Sequence, residues 1–248
     1  MRPGDFTHLA KAYIHRPAYA DAVIDALVQQ VDPGCVADVG AGTGKLTAML
    51  SARGLRGVAV EPNAAMRAEG ERLDLEGWIW RDGQAEATDL GAASVDWVTM
   101  ASAFHWADAA QAIAEFHRIL RPGGFLTLLW NPRDLQRDPL QAELEARIEA
   151  LAPGIRRRSS GAAAYTGAIE DLLLDSGLFG DLLFLEAPHV ETMSRSRHLG
   201  AWASVNDIRA QAGEAAWAQI LDSIAEALAD LETVSVRYRT RAWQVRKT

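Results

Sequence analysis

The feature that most constrains this chain is the segment from Val36 to Gly44, which reads VADVGAGTG. An apolar strand pattern runs directly into three alternating glycines, and a helix-like segment from Lys45 to Arg53 follows. Glycine lacks a Cβ, so the backbone can adopt positive φ, and a ligand can lie against the main chain beside the first amides of the helix. The segment therefore predicts a strand, turn and helix that cradle a cofactor.

The glycine spacing disfavours two common nucleotide-binding motifs. The dinucleotide fingerprint requires Gly-x-Gly-x-x-Gly, whereas the third glycine comes one residue early here, at Gly44. A P-loop requires Ser or Thr after its Gly-Lys pair, and Leu46 stands there instead. A second strand pattern, 57–60, ends at Glu61. A carboxylate in that place can accept two hydrogen bonds from the vicinal hydroxyls of a ribose.

The remaining pattern predicts the fold class. Strand patterns at 57–60, 78–81, 95–101 and 125–130 alternate with helical patterns at 19–31, 63–73 and 108–120. Such alternation is typical of parallel strands with helices on both faces, and ligands bind such sheets outside the carboxyl ends of the strands. From Asn131 onward, the pattern predicts helices at 137–151, 169–177 and 197–231 (broken near Ala212-Gly213) and strands at 182–190 and 235–245.

The final strand alternates apolar and polar residues as an antiparallel closing strand does. We therefore predict an α/β fold: a Rossmann-like, seven-stranded, mostly parallel sheet with helices on both faces and a helical cap. The chain is expected to be a single domain over 1–248. Its core comprises 21–131, 169–193 and 233–248, and its cap elements are 1–20, 132–168 and 194–232.

Four further segments carry a resemblance to a known family. They are Asp82 to Glu86 (DGQAE), Ser94 to Val98 (SVDWV), Ala103 to Trp106 (AFHW) and Arg118 to Gly124 (RILRPGG). With the glycine turn and Glu61, they make residues 8–131 resemble the class I S-adenosylmethionine-dependent methyltransferases of the type 11 kind. The resemblance is to the small-molecule branch that includes the trans-aconitate and malonyl-carrier-protein methyltransferases. It implies S-adenosylmethionine as cofactor, S-adenosylhomocysteine as product and a small-molecule acceptor.

The resemblance also implies which residues bind the cofactor: Tyr13, Arg16, Asp38, Gly40, Ala41, Gly42, Glu61, Pro62, Met66, Gln84, Ala85, Ala101 and Phe104. Pro62 and Met66 would flank the adenine. Gln84 and Ala85 would meet its edge, with Asp82 as the alternative. Arg16 would pair with the methionine carboxylate while Tyr13 closes the pocket. The competing interpretation leaves Arg16 exposed, with Pro17 starting the next helix.

The same resemblance places Tyr19, His105, Trp106, Trp130 and Trp202 around the acceptor. His105 is the candidate catalytic residue, and three interpretations stay open: a general base, a substrate hydrogen bonder, or a structural histidine beside Trp106. Methyl transfer from a sulfonium needs a base only when the acceptor must lose a proton. We expect O-methylation of a carboxylate or hydroxyl. N- or C-methylation of a secondary metabolite is the alternative, and a non-catalytic cofactor-binding partner protein is the rival of another class.

Charge and composition limit the possible partners. The formal net charge is −8, which argues against nucleic acid, since binding nucleic acid normally needs a basic face. Arg156 to Arg158, the one basic run, is expected in an exposed loop. The cap offers Arg133, Arg195 and Arg197 but no evident pair that would clamp a polycarboxylate.

Other functional classes receive no support from the sequence. No apolar run approaches the ~20 residues that span a bilayer, and the amino terminus shows no signal-peptide pattern, so a cytoplasmic protein without membrane contact is expected. The single cysteine, Cys35, is expected to be a buried neutral thiol. No ligand spacing predicts a metal, and a monomer or homodimer is expected.

Overall fold

The computed structural model describes residues 6–31, 34–157 and 166–248. Within these ranges seven strands form one sheet with the order β3-β2-β1-β4-β5-β7-β6. The strands are β1 (Val36–Val39), β2 (Gly57–Val60), β3 (Trp78–Arg81), β4 (Val95–Ala101), β5 (Leu120–Trp130), β6 (Phe179–Ser194) and β7 (Thr233–Lys247). All four residues of β1 are buried, as expected for a central strand covered on both faces.

The helices of the described ranges alternate with the first five strands and then cluster. They are α1 (Ala10–Tyr13), α2 (Asp21–Gln30), α3 (Lys45–Ser51), α4 (Ala64–Glu71), α5 (Ala109–Ile119), α6 (Pro139–Leu151), α7 (Ile169–Leu174), α8 (Arg195–Ala203) and α9 (Asn206–Ala227), with a 3-10 turn at Phe104–Trp106. Asn63, Asp108 and Asp138 begin α4, α5 and α6, because their side chains accept hydrogen bonds from first-turn amides.

The sheet is parallel from β3 through β5, and β7 runs against both of its neighbours. This bears out the predicted α/β, Rossmann-like class and the antiparallel closing strand. The predicted bounds of β2, β3 and β4 agree with the structure. The predicted start of β5 is wrong, because Leu120 already pairs with Val95 before a register shift. The strands β6 and β7 are also longer than predicted.

Helices pack on both faces of the sheet. Along β5, Leu128 belongs to the cluster that contains the buried residues of α5 and α7, whereas the adjacent Leu129 belongs to the cluster that contains those of α2 and α3. Successive strand residues point to opposite faces, so the two clusters lie on opposite sides of the sheet.

A third buried cluster joins helices α6, α8 and α9 to the far ends of β6 and β7, and we call it the cap cluster. Its members include Leu144, Trp202, Ile220, Val236 and Tyr238. Gly213, with φ of +79°, kinks α9 where the sequence predicted a break. Residues 158–165, predicted as part of the cap, lie outside the described ranges. In the part of the chain that is described, no helix is long and apolar enough to cross a bilayer.

Candidate active site

The glycine turn after β1 has the conformation that its sequence requires. Gly40, Gly42 and Gly44 have φ of +66°, +61° and +81°. A Cβ on Gly40 would lie 2.8 Å from the Cβ of Ala103, which no real side chain tolerates. The turn therefore presents bare main chain at the carboxyl end of β1, where a ligand can approach closely.

Asp38 lies beneath this turn rather than in contact with a ligand. It is 1% exposed, and its carboxylate accepts hydrogen bonds from Thr47 Oγ1 at 2.5 Å and Thr99 Oγ1 at 3.0 Å. Burial raises the pKa of Asp38 to about 6, against the effect of these two hydrogen bonds. Asp38 thus ties β1 to α3 and β4, and its predicted direct contact with the cofactor is not supported by its position.

Glu61 stands at the end of β2, facing the same turn. Its carboxylate accepts hydrogen bonds from the main-chain nitrogens of Gly42 at 2.8 Å and Asn63 at 2.9 Å. Burial raises the pKa of Glu61, although both hydrogen bonds and the charge of Arg67 oppose that shift. The side chain is consequently fixed beside the glycine turn with acceptor capacity to spare, since a carboxylate has about four lone-pair sites.

A cavity of about 270 Å³ opens between the glycine turn and Glu61, and we call it the cofactor cavity. It is lined by Phe6, Tyr13, Gly40, Gly42, Glu61, Pro62, Met66, Gln84, Ala85, Glu86, Met100, Ala101, Ser102, Ala103, Trp106 and Ala107. Nine of the thirteen predicted cofactor residues are among these. The donor set fits S-adenosylmethionine, with a carboxylate for ribose hydroxyls, apolar walls for adenine and glycines for close approach.

A second cavity of about 200 Å³ adjoins the first, and we call it the acceptor cavity. It is lined by Phe6, Tyr13, Arg16, Pro17, Tyr19, Lys45, Ser102, Trp106, Asn131, Pro132, Arg133, Leu135, Glu145, Arg157, Asn206 and Tyr238. Phe6, Tyr13, Ser102 and Trp106 line both cavities and form the junction between them. The junction lies beyond the carboxyl end of β4, at the edge of the sheet where ligands were expected to bind.

The acceptor cavity is rich in positive charge. Four cationic side chains and one carboxylate, that of Glu145, line its wall. Arg16 donates from Nε to Ser204 Oγ at 2.6 Å, and Lys45 donates from Nζ to the Ile14 carbonyl at 3.2 Å. In the described ranges, neither Arg16 nor Lys45 has a carboxylate within 4.0 Å. Both cations are therefore available to an anionic ligand.

The other two cations converge on Trp202. The guanidinium of Arg133 lies 3.9 Å from the Trp202 ring centroid and that of Arg157 lies 5.9 Å away. Glu145 bridges them, with Oε1 at 3.7 Å from Arg133 and Oε2 accepting a hydrogen bond from Arg157. Burial lowers the pKa of the Arg133 guanidinium from its usual value.

This arrangement bears on two expectations about arginines and corrects the first of them. The basic run was expected in an exposed loop, but Arg157 is half-buried at the cavity wall, while Arg156 is exposed and Arg158 lies outside the described residues. Of the three cap arginines considered, only Arg133 reaches the cavity. Arg195 donates to the Ala229 carbonyl, and Arg197 pairs with Glu191.

Several residues predicted to contact a ligand lie outside the lining of the cavity that was expected for them. Trp130 and Trp202 are 0% exposed, so neither lines the acceptor cavity. Phe104 is also buried, in the cluster beside α5. The Ala41 amide donates to the Val60 carbonyl, and Ala41 lies outside the cofactor cavity lining. Arg16 lines the acceptor cavity instead of the cofactor cavity.

His105, the candidate catalytic residue, is 8% exposed and lies outside the lining of both cavities. Its Nδ1 accepts a hydrogen bond from Trp130 Nε1 at 3.3 Å, and its ring lies 4.7 Å from that of Trp106. The position favours the structural interpretation: Trp130 holds the His105 ring by a hydrogen bond, and that ring packs against Trp106. Tyr19, by contrast, lines the acceptor cavity, and its hydroxyl donates to Ser102 Oγ at 3.2 Å.

The sequence reasoning missed Phe6, Ser102 and most polar residues of the acceptor cavity. Ser102 follows β4 directly, and its φ of +51° marks a strained position that sequence does not reveal. Cys35, expected as a neutral thiol, is half-buried outside both cavities, and burial raises its pKa. In the described part of the chain, no cluster of His, Cys, Asp and Glu could hold a metal ion.

Residues 37–128 match the family model described as a methyltransferase domain. This match covers the glycine turn, Glu61 and the junction at Ser102 and Trp106. Over these residues the chain is similar to a methyltransferase domain, and the match together with the lining of the cofactor cavity supports S-adenosylmethionine as the cofactor. The narrower resemblance to the trans-aconitate and malonyl-carrier-protein branch stays a prediction.

Individual relatives share part of the chain. An uncharacterized methyltransferase of Mycobacterium tuberculosis is 47% identical over 119 residues, which are 48% of this chain and 48% of that protein. The ubiquinone/menaquinone biosynthesis C-methyltransferase UbiE of Rubrivivax gelatinosus is 37% identical over 95 residues, 38% of each. The chain thus spans about half the length, or less, of these curated relatives. A methyltransferase structure from Anaeromyxobacter dehalogenans shares the fold over 94% of this chain and 97% of that one, with a TM-score of 0.62 and 23% identity.

Proposed function

We propose that the protein transfers the methyl group of S-adenosylmethionine to the oxygen of a small carboxylate that binds in the acceptor cavity. The junction of the two cavities carries this proposal. A cofactor held by the glycine turn and Glu61 would extend its sulfonium toward Ser102 and Trp106, and an acceptor in the second cavity would meet it there. The sulfonium supplies an activated methyl group, so alignment and exclusion of water are the main tasks left to the protein.

The chemistry at the junction favours an acceptor that is already ionised. The junction is formed by Phe6, Tyr13, Ser102 and Trp106. None of these four residues is an aspartate, glutamate, histidine or lysine. Burial raises the pKa of Tyr13 and of the neighbouring Tyr19, so both stay protonated at neutral pH. A hydroxyl or ammonium acceptor would need a base in this place, whereas a carboxylate needs none.

The charge of the acceptor cavity supports the same acceptor. Arg16, Lys45, Arg133 and Arg157 line the cavity, whereas the carboxylates are Glu145 in the lining and Asp207, whose Oδ2 lies 3.8 Å from Arg157 Nε. An anion would be attracted by this surplus, and guanidinium groups can bind a carboxylate through two hydrogen bonds. Tyr13, Phe6 and Trp106 meet edge to face, with ring centroids 5.5 and 6.0 Å apart, and would exclude water from the sulfonium.

Two steps test this proposal. The first is isothermal titration of the purified protein with S-adenosylmethionine and with S-adenosylhomocysteine, repeated with Glu61→Ala. We expect the variant to bind each ligand more weakly by about 1 to 3 kcal/mol, the range for losing charged hydrogen bonds. Failure of both ligands to bind would contradict the proposal.

The second step measures transfer of labelled methyl groups to panels of small carboxylates, phenols, amines and carbon acids. Ester formation on a carboxylate is the expected result. Transfer to carbon, as the name of the Rubrivivax relative states for that protein, or to nitrogen would replace the carboxylate with the alternative acceptors. Tight cofactor binding with no transfer to any panel would favour the non-catalytic partner protein.

A further inference from the structure

We propose that Glu145 is an internal competitor for the acceptor: its carboxylate occupies the anion position between Arg133 and Arg157, and the acceptor's anionic group must displace it. Glu145 would thereby set the specificity of the acceptor cavity. This inference rests on the proposed function, because it assigns a role within the same cavity.

The backbone of Glu145 is fixed, so its carboxylate is delivered to one place. Its neighbour Leu144 is 0% exposed, and Ile148, one turn later, is 4% exposed; both belong to the cap cluster. The Glu145 side chain itself retains 22% exposure and points into the acceptor cavity. A long, partly exposed side chain on a fixed helix can leave its partners for solvent without disturbing the helix.

The two oxygens of Glu145 face two different cations. Oε2 accepts a hydrogen bond from Arg157, whereas Oε1 lies 3.7 Å from Arg133, which is too long for a hydrogen bond. The Nε of Arg133 is buried and has no hydrogen-bond partner. A buried donor without a partner is costly, so the guanidinium of Arg133 is incompletely satisfied in this arrangement.

An incoming anion can form the hydrogen bonds to Arg133 that Glu145 does not form. The guanidinium of Arg133 lies over the Trp202 ring, 3.9 Å from its centroid, so the Arg133 side chain is held in place before a ligand arrives. A ligand carboxylate placed between the two arginines would gain contact with both. The ligand must first displace the Glu145 carboxylate, which is covalently attached to the protein and therefore present at high local concentration. An anion that binds weakly cannot displace it. The device would select acceptors that also engage Arg16 or Lys45 through a second anionic group.

The test uses the protein loaded with S-adenosylhomocysteine and a set of probes: malonate, succinate and glutarate, with the neutral diamides of the same acids as uncharged controls. Binding is measured by isothermal titration to the wild type, Glu145→Gln and Glu143→Gln. Glu143 lies on the same helix and pairs with Arg147 on the surface, so its substitution removes an equal charge outside the cavity.

We expect Glu145→Gln to bind at least one dicarboxylate about tenfold more tightly than the wild type does, a change of about 1.4 kcal/mol. Glu143→Gln should stay within about twofold of the wild type, since it is a screened surface charge. The diamides should bind equally to all three proteins. Dicarboxylate affinities that are equal or weaker in Glu145→Gln would overturn the inference, as would tightening of the same size in Glu143→Gln.

A second substitution separates competition from a general charge effect. In Arg157→Gln the hydrogen-bonded partner of Glu145 is lost and only the longer contact with Arg133 remains, so Glu145→Gln added to it should produce a smaller gain than in the wild type. An undiminished gain would contradict the competition. Binding of S-adenosylhomocysteine reports separately on the proposed function: if it binds normally but Glu145→Gln changes nothing, only this inference fails. Melting temperatures of all variants verify that they are folded.

Discussion

Trp202 Nε1 donates a hydrogen bond to His198 Nε2 at 3.1 Å, one helical turn earlier on α8. This contact defines the tautomer of His198, because Nε2 must be the acceptor and the proton of the neutral ring then lies on Nδ1. It also fixes the indole on which Arg133 stacks at 3.9 Å. The position of a cationic side chain at the acceptor cavity therefore depends on a histidine that the cavity does not reach.

The first prediction concerns His198 and acid. Burial, assisted by the charge of Arg133, lowers the pKa of His198 to about 3. Between about pH 3 and the ordinary pKa of about 6.5, the unfolded chain binds a proton at this residue that the folded chain does not. The free energy of unfolding therefore decreases as pH falls through this range, by about 1.4 kcal/mol per pH unit. His198→Gln retains an acceptor for Trp202 and should remove this contribution. Urea unfolding at pH 7 and pH 5 measures it, with the exposed His8→Gln as the control. An unchanged pH dependence in His198→Gln would contradict the prediction.

A second prediction has the opposite sign and arises at Asp38. Its folded pKa of about 6 lies above the ordinary value near 3.9, so the folded chain holds the extra proton between these values. The contribution of this proton to the free energy of unfolding is complete at low pH and is lost as pH rises through about 6. Asp38→Asn should abolish that loss, about 1.4 kcal/mol per pH unit across this window. Urea unfolding between pH 4.5 and pH 7 measures it, and the exposed Asp222→Asn should behave as wild type.

These two contributions oppose each other over nearly the same range of pH. A flat stability curve for the wild type would be consistent with both, and only the single variants separate them. If Asp38→Asn and His198→Gln shifted the slope in the same direction, one of the two assignments would be wrong.

The third prediction concerns the close approach at the glycine turn. Gly40→Ala must place a Cβ 2.8 Å from that of Ala103 while keeping φ of +66°. Gly54→Ala faces a similar φ of +80° with nothing within 4 Å of its Cβ. Each should lose about 1 to 2 kcal/mol of unfolding free energy from the left-handed backbone. Only Gly40→Ala should lose more and also weaken the binding of S-adenosylhomocysteine, measured by titration. Equal losses in both variants would show that the contact with Ala103 is relieved at no cost.

The fourth prediction follows from the absence of a base among the four junction residues. With a carboxylate acceptor, kcat should be independent of pH from about 7 to 9, because no proton leaves in the transition state. Tyr19→Phe removes the hydrogen bond to Ser102 and should lower kcat without giving the profile a slope. A rise of kcat with unit slope would instead reveal a base and would return the acceptor to a hydroxyl or an amine.

The sequence predicts those parts of the molecule whose conformation is determined by residues close together along the chain. The bounds of β2 and the left-handed turn at Gly40 follow from local patterns of apolar residues and glycine. The acceptor cavity does not, since Arg157 reaches it only through the packing of α6 and α9. In the sequence, the run from Arg156 to Arg158 is typical of a solvated loop. Only the tertiary structure shows that Arg157 lies beside Glu145. The positions of Trp130 and Trp202 likewise depend on tertiary structure, because a tryptophan that supports a cavity wall has the same sequence signature as one that forms it.

The pairing of β6 and β7 constrains how a ligand enters and leaves. The two strands pair from Phe179 with Lys247 in the sheet to Ser194 with Thr233 beneath the cap cluster. The register shifts between Gly180 and Leu183, and from Leu183 to Ser194 the ladder is regular. A regular ladder of this length resists bending, so the cap cluster is expected to move with the sheet rather than swing away from it. The amino-terminal segment that carries Phe6 and Tyr13 has no such ladder and touches both cavities. Exchange of product for fresh cofactor is therefore expected to depend on movement of residues 6–13 rather than on movement of the cap cluster.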